Sequence, residues 1–339
     1  MFRDWAMQAI FLSVLNFNQA YMLYSFFLLA VGLIVLVVGG ELLVRGASSV
    51  ALRVKISPLV VGLTIVAFGT SAPELFISVQ SALEGSPDLA MGNVVGSNIC
   101  NLALVLGCTA LIFPVPVHRD SIKIDWPMTI GSSLFLYFLI HDYLISAIEG
   151  TIFVLCLTIY TTLIIIKSRR ENHKGAEILE EADLPEKPSK NVWLDVAFII
   201  LGTLGLAFGS DWFVDGAKSL AISFGVSERV IGVTVLALGT SLPELVTATV
   251  AAFRKATDIA IGNLLGSNIF NILSILGITS VIQPIDVNET IVSEDMLWML
   301  GITVIIFPMM HFKRRITRLE GLLLLLIYSS YIYWVVQTR

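Results

Sequence analysis

The stretch 67-AFGTSAPELF-76 sets Thr70, Ser71, Pro73 and Glu74 inside an apolar run, and 237-ALGTSLPELV-246 does the same 170 residues later. A second pair, GNVVGSNICN from position 92 and GNLLGSNIFN from position 262, keeps the same offset. That offset also aligns Gly39 with Gly209, Glu41 with Asp211, Gly62 with Gly232, Gly107 with Gly277 and Pro114 with Pro284. So many coincidences at one spacing mark an internal duplication.

The surroundings of these motifs are those of a membrane protein. The chain has 339 residues, of which 56% are hydrophobic and 14% charged; its mean hydropathy is +0.86, whereas soluble domains are about 25% charged. Apolar runs at 22–44, 57–80, 88–112, 125–140, 147–166, 192–214, 227–252, 258–282, 296–310 and 321–336 predict ten spans. Most approach the ~20 residues a helix needs to cross the hydrocarbon layer; 125–140 and 296–310 fall short and must thin the bilayer or start in its interface. The runs are too long and uniformly apolar for barrel strands. The fold class is therefore all-α integral membrane.

Each half carries five spans, and an odd number makes the second half enter the membrane from the opposite side. The sequence thus predicts two inverted repeats, 21–166 and 192–339, after an N-terminal extension (1–20) and around a charged linker (167–191) too short for a regulatory domain. If the spans alternate sides, the connections 45–57, 113–125, 167–191, 253–258 and 311–320 hold 17 of the 21 Lys and Arg. The positive-inside rule places that set in the cytoplasm and both termini outside, in a cell or inner membrane. The apolar segment 5–15 has poor signal-peptide flanks and is expected as an interfacial or extra extracellular helix.

An ionised carboxylate at the bilayer centre costs ~2.5–3.5 kcal/mol even on lenient scales. No Lys, Arg or His lies deep enough to pair with Glu74 or Glu244, since the four His (118, 141, 173 and 311) fall in loops or at span ends. The simplest countercharge is a bound cation. Pro73 and Pro243 lack an N–H, so the carbonyls one turn earlier, around Ala67–Thr70 and Ala237–Thr240, are expected to lose their helical partners and act as ligands. Hydroxyls of Thr70, Ser71, Thr240 and Ser241 join them. Ser97 with Asn101, and Ser267 with Asn271, are four apart and share helix faces. An all-oxygen set with two carboxylates suits Ca²⁺ or Na⁺ rather than zinc or copper. Two negative charges balance one Ca²⁺ or two Na⁺, the equivalence an exchanger requires.

Plainer readings stand beside these. Small residues in spans commonly only pack helices, which is the ordinary reading of the glycine-rich first and sixth spans; the functional one is a face that slides against the bundle. Asn93 and Asn263 follow a glycine and either cap a helix break or join the site, while Asn98 and Asn268 belong to packing or a polar network. Glu41 and Asp211 read as solvated helix ends or entrance charges. Cys100, Cys108 and Cys156 lie in apolar spans as small hydrophobic residues. A protease is disfavoured because neither Ser71 nor Ser241 has a His or Lys base at depth. A passive channel lacks an obvious pore ring.

At these motifs the chain resembles the cation/calcium exchanger superfamily, whose two repeats carry G-T-S-x-P-E followed by G-N-x-x-G-S-N, and the resemblance covers nearly the whole chain. The G-S-N form is similar to the sodium/calcium branch, since proton/calcium exchangers usually carry a Glu where this chain has Gly96 and Gly266. The resemblance implies calcium at Glu74, Glu244 and the backbone oxygens of Thr70 and Thr240. It implies sodium at Ser71, Ser97, Ser241, Ser267 and the carbonyls of Ala67 and Ala237, with Asn101 and Asn271 bordering the centre. It also implies three Na⁺ per Ca²⁺. Asn271 replaces an Asp found in the potassium-dependent branch, which argues against potassium coupling. The expectation is a sodium/calcium antiporter working by alternating access, without cofactor, catalysis, nucleic acid or an evident obligate protein partner. Its alternative is a proton-coupled or other divalent-cation antiporter of the same fold.

Overall fold

A computed structural model describes the backbone of residues 2–171, 188–189, 191–226 and 237–338, with side chains from residue 22 onward, Ala237 excepted. In lipid every backbone N–H and C=O must find a partner within the protein, so each apolar run coils. The helices are α1 (Phe2–Val54), α2 (Pro58–Leu83) and α3 (Pro87–Ile112), and α4 (Trp126–Leu139). They continue as α5 (Ala147–Arg170), α6 (Val192–Ser223), α7 (Leu242–Phe253), α8 (Thr257–Ile282), α9 (Ile291–Lys313) and α10 (Arg318–Thr338). Helix starts follow local chemistry: Pro58 and Pro87 occupy first turns, and Ser146 with Glu149 forms a capping box.

Among the described residues, eight helices are long and apolar enough to cross a membrane, counting α1 from Met22. The predicted fourth span is α4, into which a π-helical segment at Ser121–Asp125 runs without a gap. The predicted seventh is described from Ala237 onward, and the part before it lies outside the described residues. The linker likewise falls largely outside them. Helical backbone runs from Phe2 into the first span without a break.

Glycines decide how α1 and α6 meet. Gly32, Gly39 and Gly46 recur every seventh residue, as do their repeat mates Gly202, Gly209 and Gly216. A Cβ on Gly39 would lie 2.8 Å from Leu206 N and 2.9 Å from Gly202 O, and one on Gly209 2.7 Å from Leu36 N. These glycines face the partner helix rather than the bundle, so of the two sequence readings they fit close packing. The most buried span is α8, followed by α3 and α2, while α5, α6 and α10 expose most of their surface.

Two short sheets tie connections together. β1 (Val115–Pro116) pairs antiparallel with β4 (Arg315–Ile316), and β2 (Leu144–Ile145) with β3 (Ile285–Asp286). The first joins two basic connections and the second two non-basic ones. Ion pairs sort the same way: Lys167–Asp120 at 2.7 Å and Arg53–Asp195 at 2.9 Å both link basic connections or the helix ends beside them. Glu41, read from sequence as a solvated end or an entrance charge, is instead held by Arg254 at 2.6 Å and by Arg45. Asp211 is exposed.

Gly39→Val should lower the melting temperature in detergent by several degrees, consistent with the ~1–3 kcal/mol typical of overpacking. Gly131→Ala, where an added Cβ meets nothing within 4 Å, should leave it unchanged.

Candidate ion-binding site

Both signature prolines enter helices, yet the two halves respond differently. Helix α2 continues through Pro73, and its departure from regularity lies upstream, in a π-helical segment at Gly62–Val66. In the second half, a short helix Ala237–Thr240 ends at Ser241 before α7 begins. The expectation that each proline interrupts its helix is corrected for Pro73: among the described residues the backbone leaves the helix at Ser241 and stays helical through Pro73. One freed carbonyl is also already used. Gly239 O, four residues before Pro243, accepts from Ser210 Oγ on α6 at 2.5 Å. The repeat mate of Ser210 is Gly40, which has no hydroxyl to offer.

The motif residues meet crosswise between halves. Thr70 Oγ1 on α2 lies 3.1 Å from Asn263 Oδ1 and 3.3 Å from Ser267 Oγ, both on α8. It is also 3.3 Å from the carbonyl of its own-turn neighbour Ala67. The mate contact is present too, with Thr240 Oγ1 lying 3.4 Å from Ser97 Oγ on α3. Ser71 Oγ donates to Glu244 Oε1 at 3.3 Å, tying α2 to α7. Ser241 is buried at the break, and Ala67 is buried in α2. Ala237 begins the short helix, its side chain lying outside the described residues.

Asn101 and Asn271 each sit in a π-helical segment, Cys100–Val105 and Asn271–Leu276. The first packs against α7 and the second against α2, again crosswise. Such π segments recur at functional sites because they aim side chains off the regular helical stagger. Asn93 and Asn263 lie inside their helices and cap no break. Asn93 Nδ2 donates to Ser78 Oγ at 3.0 Å and to Glu74 O at 3.4 Å. Asn98 and Asn268 form a polar network between halves, with Asn98 Nδ2 donating to Asn268 O at 3.4 Å.

Glu74 and Glu244 are both fully buried. Among the described residues neither oxygen of Glu74 has a hydrogen-bond partner, nor does Oε2 of Glu244 or either amide end of Asn101 and Asn271. Buried polar groups are rarely left so, and a concentration of them on two crossed motif pairs is the arrangement of a ligand shell. Among the described residues no three His, Cys, Asp or Glu gather in the manner of a transition-metal centre. The donors are carboxylate, amide, hydroxyl and carbonyl oxygens, suited to a hard cation.

Sequence reading missed three contributors. Thr247, one turn after Glu244, is buried with an unpartnered hydroxyl, but its repeat mate is Ile77, so a search keyed to identity passes over it. Ser78 and Ser210 were hidden likewise behind Ala248 and Gly40. Accessibility is unequal. Gly62 and Gly262 bring α2 and α8 into backbone contact, and Thr70, Asn263 and Ser267 beside them are fully buried. On the mate side Thr240 and Asn93 are half-buried and Gly92 is exposed.

The sodium/calcium exchanger protein family model matches residues 24–166 and again 194–337. The inner membrane protein YrbG of Escherichia coli is 36% identical over 322 residues, spanning 93% of this chain and 98% of that protein. The sodium/calcium exchanger MaX1 of Methanosarcina acetivorans is 30% identical, spanning 91% and 97%. A solved structure of the sodium-calcium exchanger NCX_Mj, soaked with zero Na⁺ and Ca²⁺, superposes with a TM-score of 0.78 at 28% identity, covering 93% of this chain and 99% of that one.

If Glu74 and Glu244 hold the cation jointly, saturating Ca²⁺ should raise the wild-type melting temperature, since a ligand at 100 times its Kd adds ~2.7 kcal/mol to the bound state. In Glu74→Gln and Glu244→Gln that calcium-dependent rise should vanish while the ion-free melt persists.

Proposed function

The chain belongs to the sodium/calcium exchanger protein family, and we propose that this multi-pass cation/calcium antiporter exchanges sodium for calcium electrogenically by alternating access. The observation that carries the proposal is the crossed site. Two buried carboxylates from opposite halves share one set of oxygens, and three of their four oxygens lack a partner among the described residues. With both ionised, the pair is neutralised by one Ca²⁺ or two Na⁺. A third Na⁺, as the family pattern implies, leaves one net positive charge to move with each cycle. A site holding uncompensated carboxylates is costly to carry across a low-dielectric barrier. Return therefore requires the other ion, and exchange follows from electrostatics.

In this reading Glu74, Glu244 and the backbone oxygens of Thr70 and Thr240 hold calcium. Ser71, Ser97, Ser241, Ser267 and the carbonyls of Ala67 and Ala237 hold sodium, with Asn101 and Asn271 at the centre. The ions are cargo, and no cofactor or catalytic step is involved. The architecture is ten spans in two inverted repeats, 21–166 and 192–339. The sorting of loop contacts into a basic and a non-basic set supports the alternation, and the positive-inside rule puts the basic set in the cytoplasm. The site is then sealed toward the cytoplasm by the Gly62–Gly262 contact and more accessible from outside.

The alternation moves α1 and α6 as one unit, because their glycines lock them to each other. Among the contacts that join that unit to the remaining bundle are two polar ones, Ser210 to the Gly239 carbonyl and Glu41 to Arg254. Both must yield when access switches. Against a proton-coupled reading stand Gly96 and Gly266, which place no carboxylate in the second motif.

In proteoliposomes with membrane potential clamped, Ca²⁺ uptake should follow an outward Na⁺ gradient and ignore a pH gradient, and Glu74→Gln or Glu244→Gln should abolish it with the protein still inserted. Uptake driven by the pH gradient alone would establish the proton-coupled alternative instead.

A further inference from the structure

Outside the ion site, one lipid-facing groove has a chemistry that transport does not use. It lies between α9 and α10 and encloses about 420 Å³. Ser293, Glu294, Trp298, Gly301 and Ile305 descend one wall, and Trp334 stands on the other. Its mouth is at the start of α9, just past β3, on the side opposite the basic connections. From Glu294 to Ile305 the helix descends ~16 Å, about half of the ~30 Å hydrocarbon layer. The groove therefore has the depth of a single leaflet.

The two ends of the groove differ in chemistry. At the mouth the Glu294 carboxylate is half-buried, and among the described residues no cation pairs with it. Trp298 and Trp334 stand beside it with ring centroids 6.2 Å apart. The Ser293 hydroxyl donates to Glu289 O at 2.9 Å, which leaves the Ser293 oxygen free to accept. Below, the floor is opened by Gly301, at which an added Cβ would meet nothing within 4 Å. An anionic, aromatic mouth above an apolar channel is complementary to an ammonium headgroup joined to an acyl chain.

Duplication sharpens the case. The repeat mates of Ser293, Glu294, Trp298 and Trp334 are Lys123, Ile124, Met128 and Ile164. The acid and both indoles are absent from the equivalent place in the other half, where a lysine stands instead. A feature required by the ion pathway's pseudo-symmetry would be expected in both halves, whereas one matched to a single leaflet would not.

We propose that this groove binds phosphatidylethanolamine, its ammonium donating to Glu294 and Ser293 beneath the two indoles and one acyl chain lying over Gly301. A primary ammonium is favoured over a quaternary one because it has hydrogens to donate to the two oxygens.

The test is native mass spectrometry of the full chain, delipidated and titrated with phosphatidylethanolamine, phosphatidylcholine or phosphatidylglycerol of identical chains. Phosphatidylethanolamine should bind about five-fold tighter than either competitor, the scale of a cation–π contact with a charged hydrogen bond. Glu294→Gln should erase that preference. Gly301→Leu, which fills open space, should weaken all three lipids, with Na⁺-driven Ca²⁺ uptake reporting that each variant is folded. Equal binding of the three lipids to the wild type, or a preference that survives Glu294→Gln, would overturn the proposal.

Discussion

Two carboxylates buried in the middle of a membrane, with no cation among the described residues to meet them, set the terms for the rest of this structure. A buried charge without a partner is among the costliest features a fold can contain. The surrounding chain distributes that cost over hydroxyls, amides and carbonyls from both halves: Ser71 reaches across to Glu244, and Thr70 reaches to Asn263 and Ser267. None of these groups carries positive charge. The shell that remains is strongly cation-seeking, and the tight packing of α2 against α8 through Gly62 and Gly262 keeps water from relieving it on one side.

Duplication explains how such a site is built from few kinds of residue, and the departures from duplication show what each half does alone. The Thr70–Ser267 contact has its mate in Thr240–Ser97, and the β1–β4 pairing has its mate in β2–β3. Among the described residues, by contrast, the motif helix is interrupted at Ser241 and not at its mate Ser71, and the Gly239 carbonyl is taken by Ser210 on α6 where the mate position is Gly40. The pair that moves in our account is thus fastened directly to the motif whose helix is interrupted at Ser241. Glu41 and Arg254 fasten it at the basic end. In the alternating-access cycle we propose, pseudo-symmetry would supply the two access states and these unequal contacts would bias which one is populated.

Much of this was legible in the sequence because the constraints are severe and local. Unpaired Glu in apolar spans, a proline before each and an offset of 170 residues leave few structures that bury the charges. The crosswise wiring was not legible, since residue spacing within a helix says nothing about which helix lies opposite. The π-helical segments at Asn101 and Asn271 also escaped, because they arise from tertiary packing rather than local propensity. Proline misled in one half: Pro73 sits inside a continuing helix, and the departure from regularity lies upstream at Gly62–Val66. Thr247, Ser78 and Ser210 were invisible for a simpler reason, their mates being Ile77, Ala248 and Gly40.

The central claim is that sodium and calcium occupy one shared set of oxygens. Equilibrium calcium binding to the purified protein across a wide range of sodium tests it most directly. The account predicts that the apparent calcium Kd rises without limit as sodium increases, with more than one sodium displaced per calcium. A calcium affinity that levels off at high sodium, with both ions bound together, would contradict it.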